Sequence, residues 1–279
     1  MRKIKYSQKP IKVNTKIKPI KNLKKKSDVL VVKKNLTPVA PIEDKLKIIH
    51  TLFGKKIAVK DQLAFQRRAY SEAKSLINQP WSKDNLHFTL EEHNRDFLLE
   101  SGVPEKNVIW IKELPPKIPT NFSFFYRIFL FTKAAEMFPN NNFLSLDYDC
   151  HPAREFNKKD IYNILEENQK RDIQCPPVAY KNKAFTSIDG SRQCYGFQGC
   201  LVYWRDNGII KKWFEMYLKN PDINNDEPVL LLTLETLYGK LSVDDLFSFN
   251  TRVITTRRIR NWSPYFNEQQ SKDAYFWHG

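Results

Sequence analysis

Asn142-Phe143-Leu144-Ser145-Leu146-Asp147-Tyr148-Asp149-Cys150-His151-Pro152 is the stretch whose reading decides the fold. Phe143, Leu144 and Leu146, interrupted only by Ser145, have the make-up of a strand buried on both faces in a parallel sheet, with Pro152 as its stop. Two carboxylates therefore stand where a strand ends. Alternation with a period of two sends Asp147 and Asp149 to one side and Tyr148 to the other, so both acids can reach one ligand. The carboxyl ends of strands in open α/β sheets are where such folds bind ligands. Carboxylate oxygens suit a hard cation, Mg2+ or Mn2+, that keeps positions open for substrate phosphates. An Asp-x-Asp pair also serves as a plain turn or helix cap, so the surroundings have to decide.

Upstream the pattern alternates. Leu46-Lys47-Ile48-Ile49-His50-Thr51-Leu52-Phe53 reads as a first strand, and residues 61–79 carry Leu63, Phe65, Ala69, Ala73 and Leu76 at helical spacing. Leu86-His87-Phe88-Thr89-Leu90 reads as a second strand, residues 94–101 as a short helix stopped by Gly102, and Val108-Ile109-Trp110-Ile111 as a third strand. Beyond a Pro115-Pro116-Lys117-Ile118-Pro119 loop, residues 122–138 are strongly apolar and of helical length. This grammar predicts an α/β, doubly wound, mostly parallel sheet. No Gly-x-Gly-x-x-Gly follows the first strand and no Gly-Lys-Ser/Thr loop occurs, which disfavours dinucleotide enzymes and P-loop NTPases.

The chain has 279 residues, 41% of them hydrophobic and 13% aromatic, enough for one sizeable core. Its net charge of +15 is unevenly spread: residues 1–34 hold thirteen Lys/Arg and a single acid, Asp28, leaving only about +3 for the remainder. Basicity belongs to the amino-terminal arm. Residues 1–40 contain Pro10, Pro19 and Pro38 but no glycine, and offer neither a helical face nor a long apolar run, so they read as an extended or flexible arm, with Asp28-Val29-Leu30-Val31-Val32 as its one candidate strand. Such an arm suits DNA, an anionic membrane or a partner protein, or is a solvated linker. Residues 41–279 read as the globular domain. With no apolar core behind the Lys-rich start and no run of membrane-span length, the expectation is a cytoplasmic protein, soluble or peripheral to a membrane. Cys150, Cys175, Cys194 and Cys200 show neither a CxxC pair nor zinc spacing, and are expected to be free thiols.

The run Tyr126-Arg127-Ile128 through Lys133, followed by Phe143-Leu144-Ser145-Leu146-Asp147-Tyr148-Asp149, resembles the helix and DxD strand of GT-A fold glycosyltransferases. Tyr195-Gly196-Phe197-Gln198-Gly199-Cys200-Leu201-Val202-Tyr203 resembles the family's small-residue segment, where the backbone approaches donor or acceptor sugar. Asn224-Asn225-Asp226-Glu227-Pro228-Val229-Leu230 resembles its acidic helix start, and Phe276-Trp277-His278-Gly279 its late His-Gly element. Together they cover roughly residues 45 to 279 in the family's order. The resemblance implies a Rossmann-like GT-A fold and a metal-dependent transferase that moves a sugar from a nucleotide-diphosphate donor, a UDP-sugar first among them, to a hydroxyl on a glycan or protein. It also implies Mn2+ or Mg2+ on Asp147, Asp149 and His278, with Asp149 the direct ligand. Asp147, Arg127, Gln198, Gly199 and Arg257 would then contact the donor, and Asp226 and Glu227 the acceptor. The family commonly carries a basic residue for the diphosphate beyond the His-Gly element; here that charge is expected from Arg257 or Arg258.

The chemistry has a basis in each residue. Breaking a bond between sugar and diphosphate leaves negative charge that a catalyst has to meet with positive charge held in advance. Arg127 and Lys133, six apart on one helix, point along different azimuths and cannot both serve one phosphate. Two glycines, Gly196 and Gly199, fall within four residues of a chain that has eight, which points to a sharp turn or a close approach. Asp226-Glu227-Pro228 suits a helix start by capping alone, and equally suits a carboxylate reaching an acceptor hydroxyl, as base or as binding group. Arg252, Arg257, Arg258 and Arg260, interleaved with Trp262 and Tyr265, suit phosphates and stacked rings, or a solvated strand. Two further readings compete: a glycosyltransferase acting on hydroxylated bases of DNA, and a non-catalytic nucleic-acid-binding protein whose acidic pair merely caps a loop.

Overall fold

The computed structural model describes residues 45–54, 64–113, 123–152, 155–167, 171–175, 177–179, 185–186, 192–193, 195–197, 199–220, 223, 226–242, 245–246, 248–249, 254–256 and 275–278. The basic arm, its candidate strand at 28–32 and the proline loop at 115–119 lie outside these residues.

The alternation upstream of the acidic stretch forms as read. Leu46–Leu52 (β1) is followed by Ala64–Ile77 (α1), Leu86–Thr89 (β2), Glu92–Glu100 (α2), Val108–Trp110 (β3), Ser123–Met137 (α3) and Asn142–Leu146 (β4). Gly102 ends α2 at φ +94, with Gly102 N–H on the Leu99 carbonyl at 3.0 Å and Val103 N–H on that of Leu98 at 3.1 Å, the paired bonds of a Schellman stop. Past β4 come Cys150–Pro152 (β5), Lys158–Glu167 (α4), Ile173–Gln174 (β6), Pro177–Ala179 (β7), Phe185–Thr186 (β8), Arg192–Gln193 (β9), Tyr195–Phe197 (β10) and Leu201–Trp204 (β11). Asn207–Lys219 (α5), Asp226–Tyr238 (α6), Ile254–Thr256 (β12) and Phe276–His278 (β13) complete the order.

The central sheet runs β3-β2-β1-β4-β11-β6. Pairings among β1, β2, β3 and β4 are parallel, and β11 is antiparallel to both neighbours, so the sheet is mostly parallel, as the sequence predicts. The chain moves outward from β1 to β3 and then returns to β4 on the other side of β1. Strand order therefore reverses between β1 and β4, and it is outside the carboxyl ends of strands at such a switch point that open α/β sheets bind ligands.

Both faces of the sheet are covered, which is why its strands read as near-continuous apolar runs. Odd positions of β1 and β4 and even positions of β11 (Ile49, Phe143, Val202, Trp204) pack with α3, α5 and α6. The alternate set (Leu46, Ile48, Leu144, Leu146, Leu201, Tyr203) packs with α4, and Leu52 packs with α1 and α2. Helix α3 is apolar nearly all round because the sheet lies on one side of it and α5 and α6 on the other. The Trp204 and Trp213 rings stack at 5.4 Å in this layer, an arrangement that adds about 0.5–1.5 kcal/mol to area burial alone.

A second sheet, β12-β13-β5, grows from the end of the acidic stretch. Its register places His278 opposite Cys150 and beside Thr256. Among the described residues no helix is long and apolar enough to cross a membrane.

Candidate functional site at the carboxyl end of strand β4

Strand β4 stops at Leu146, before the acids. Asp147 leaves the strand, and Cys150 N–H bonds back to its carbonyl at 3.0 Å, so residues 147–150 form a turn. This corrects two sequence expectations. The strand does not continue through Asp149, although Asp147 and Asp149 stay partly accessible on either side of a buried Tyr148, and Pro152 ends the separate strand β5 rather than β4. The strand ends where the Cys150 N–H closes back on the Asp147 carbonyl, and the Tyr148 ring packs into a buried polar cluster.

The turn is met by two other segments. Because β11 is antiparallel to β4 with Leu201 opposite Leu146, the residues just before β11 lie against Asp147, whose amide donates to the Cys200 carbonyl at 2.8 Å. Gly199 in turn meets the first turn of α6: its N–H donates to Glu227 Oε1 at 3.1 Å.

Arg127 of α3 joins all three. Its guanidinium places Nη2 2.7 Å from Asp147 Oδ1 and Nη1 3.3 Å from Asp226 Oδ2, and Nη2 also donates to the Gly199 carbonyl. Arg127 is 4% exposed and Asp226 2%, while the Asp147 side chain keeps 34% of its surface in solvent. A side chain at position 199 would put its Cβ 3.2 Å from Arg127 Nη1 and 3.4 Å from Asp226 Oδ2. The close approach that the glycine permits is therefore made by the protein's own ion pair. Lys133 points elsewhere, to Glu113 at 2.7 Å and Glu136 at 3.0 Å, as the six-residue offset requires.

Burial raises both acids of α6. Burial raises the Asp226 carboxyl and Arg127 opposes that rise. Glu227 is pushed up to about 8, first by burial and then by Asp226, with the Gly199 N–H and Arg127 pulling the other way. Burial lowers the Arg127 pKa, but Asp147 and Asp226 more than offset this and hold it above its ordinary value. A partly buried carboxyl that changes charge near neutrality, beside a fixed cation, is able to exchange a proton with a bound hydroxyl. Cys150 is a packing residue: burial raises its thiol, and Cys200, Asp147 and Asp149 raise it further. Cys150, Cys175 and Cys200 are buried and in no disulfide, while Cys194 lies outside the described residues.

Of the other residues singled out by sequence, Gln198 and Arg257 lie outside the described residues. Strand β12 ends at Thr256, opposite His278, and His278 is opposite Cys150. Backbone register thus brings His278 to the residue that follows Asp149, and its imidazole lies outside what the structure describes. Among the described residues no group of three His, Cys, Asp or Glu could hold a metal ion.

Sequence reasoning passed over His50, Asn85 and His87, all buried behind the turn. His50 Nδ1–H donates to the Leu146 carbonyl at 2.9 Å and its Nε2 accepts from Asn85 Nδ2 at 3.0 Å, which fixes a neutral ring. Burial lowers the His50 pKa to about 4. The Tyr148 hydroxyl and His87 Nδ1 are 2.8 Å apart. Burial, then His50, holds His87 well below its ordinary value, with a backbone bond to Ser82 opposing. The available signal was a histidine inside each of two apolar strands, at positions that pair in register.

No protein-family model and no curated protein matches the chain. Among solved structures it is similar to a glycosyltransferase involved in glycosylation of the major capsid of PBCV-1, at 15% identity over 84% of this chain and 91% of that one, with a TM-score of 0.44. It is also similar to 4-diphosphocytidyl-2C-methyl-D-erythritol synthase from Anaerococcus prevotii DSM 20548, at 13% identity over 71% of this chain and 85% of that one, TM-score 0.40. A third is CMP:2-keto-3-deoxy-manno-octonic acid synthetase, at 9% identity over 69% and 98%, TM-score 0.34. With every TM-score below 0.5, the functional reading rests on this chain's own residues.

Proposed function

We propose that this protein is a metal-dependent glycosyltransferase that binds a nucleotide-diphosphate sugar, a UDP-sugar by preference, at the crevice between β1 and β4 and transfers the sugar to a hydroxyl on a glycan or protein. One observation carries the reading. Arg127 draws the acidic turn, the Gly199 segment and the acidic start of α6 together at the carboxyl end of β4, and leaves Glu227 beside them with its carboxyl near 8.

In this reading the cation sits on the acidic turn. Asp147 and Asp149 would offer hard carboxylate oxygens on the turn, of the kind that suits Mn2+ or Mg2+ with the remaining positions left for phosphate, and register brings the His278 backbone next to it. Asp149 is the direct ligand in this reading, because Arg127 already holds one oxygen of Asp147. The bound ion supplies positive charge against the departing diphosphate. Glu227 accepts the acceptor's proton as the new bond from oxygen to the anomeric carbon forms and the bond from that carbon to the diphosphate breaks. Asp226, sealed against Arg127, positions the guanidinium and touches no substrate.

Incubating the protein with UDP-sugars and Mn2+ and measuring release of UDP tests this. The expected result is metal-dependent release that Glu227→Gln lowers by 10²-fold or more. Release at the same rate in EDTA, or none from any nucleotide sugar, would overturn the proposal.

A further inference from the structure

Asp147 is bracketed. On one side the carbonyl of Leu146 is held by His50, and on the other the Tyr148 hydroxyl is held by His87. The two histidines are partners in the parallel β1 and β2 pairing. Their rings stack at 5.0 Å and 25°, and the Tyr148 ring lies nearly parallel to both, 5.1 Å from His50 and 5.8 Å from His87. Asn85 fixes the far side of His50, and Ser82 backs His87.

Four polar side chains are thus buried in a region that apolar residues would fill with no need of hydrogen-bond partners. A satisfied buried network gains directionality: it admits one ring orientation, where apolar packing admits several. Here what it orients is the backbone before Asp147 and the side chain after it.

We propose that His50 and His87 are positioning residues for the acidic turn, gripping Leu146 and Tyr148 so that Asp147 and Asp149 stand preset for a divalent cation and the donor diphosphate. What the turn holds rests on the functional reading above; that it is held does not. Preset ligands bind without first being ordered, so slackening the grip weakens binding more than it weakens the fold.

The test uses the full chain with Tyr148→Phe, His87→Leu and His87→Asn, the last placing an amide oxygen near the lost Nδ1. Two quantities are read: amide hydrogen exchange across residues 147–150 compared with β1, and Mn2+ binding in the presence of UDP, followed by the paramagnetic signal of free Mn2+. Tyr148→Phe and His87→Leu should speed exchange in the turn about tenfold and weaken Mn2+ about tenfold, the scale of one buried hydrogen bond, with β1 unchanged; His87→Asn should restore most of both. Unchanged exchange in the turn overturns the proposal, as does faster exchange with unweakened Mn2+ binding, or a loss spread evenly over β1. If the parent protein binds no Mn2+ with UDP while the turn still loosens, the grip stands and the functional reading falls.

Discussion

Replacing Arg127 with methionine removes the charge that three segments share and keeps most of the side chain's apolar bulk. The damage should concentrate on one partner. Asp147, with 34% of its side chain exposed, can turn to water, and losing a pair of that kind is worth about 0–1 kcal/mol. Asp226, 2% exposed, cannot, and breaking a buried pair by deleting one member costs about 3–5 kcal/mol. At about 2–4 °C per kcal/mol for a domain of this size, the melting temperature should fall by roughly 6–20 °C. The stranded carboxyl has one escape, which is to take a proton. Its pKa is already raised by burial and loses the largest of the influences that opposed the rise, leaving only the backbone N–H bonds at the start of α6. A group whose folded pKa lies above its unfolded value stabilises below the unfolded value, and that stability is lost as pH rises through the folded one. The variant should therefore suffer less at pH 5 than at pH 8. Urea unfolding of Arg127→Met and of Arg127→Met/Asp226→Leu at both pH values is the assay. The double variant, with no buried charge left, should recover more than half of the loss. A single variant within about 1 kcal/mol of the parent at pH 8, or a double variant no better than the single, would refute the reasoning.

Two further expectations concern the same cluster. Glu227, pushed up to about 8 from an ordinary 4.5, binds a proton in the folded state that the unfolded chain has released, so its own contribution to the empty protein's stability should fall as pH rises between those values; because His50 and His87, held neutral, give the opposite slope up to their ordinary 6.5, the quantity to follow is the melting temperature of the parent minus that of Glu227→Gln, which should decline across that range. Gly199→Ala places its Cβ 3.2 Å from Arg127 Nη1, and should cost about 1–3 kcal/mol and shift the Arg127–Asp226 pair, measured by urea unfolding alongside the parent.

Elements held together by local pattern were legible in the sequence. Strands β1 to β4 and helices α2 and α3 follow from apolar runs, from Gly102 and from spacing, because each signal lies within about ten residues of what it specifies. Helix α5 was equally readable and was passed over: Asp206 caps it by accepting from Gly208 N–H at 2.7 Å, and Ile209, Ile210, Trp213 and Tyr217 recur at helical spacing. The end of β4 was not legible, since no Gly or Pro lies between Leu146 and Pro152 to mark the turn, and His87, the partner of the buried Tyr148 hydroxyl, lies 61 residues earlier. The partners of Arg127 were hidden for the same reason. Asp226 is 99 residues away, and only the antiparallel return of β11 brings Gly199 between them. Long-range pairing of buried charges depends on topology, and a pattern read in windows carries none of it.

The central claim is that the turn at 147–149 binds a cation together with a nucleoside diphosphate, and thermal unfolding with UDP, with and without Mn2+, in parent and Asp149→Asn, tests it most directly. A ligand at about 100 times its dissociation constant stabilises the native state by about 2.7 kcal/mol, or roughly 5–11 °C here. The account predicts that shift in the parent only when UDP and Mn2+ are both present, and its loss in Asp149→Asn while the ligand-free melting temperature is retained. A shift of full size in Asp149→Asn, or one that ignores Mn2+ in the parent, would contradict it.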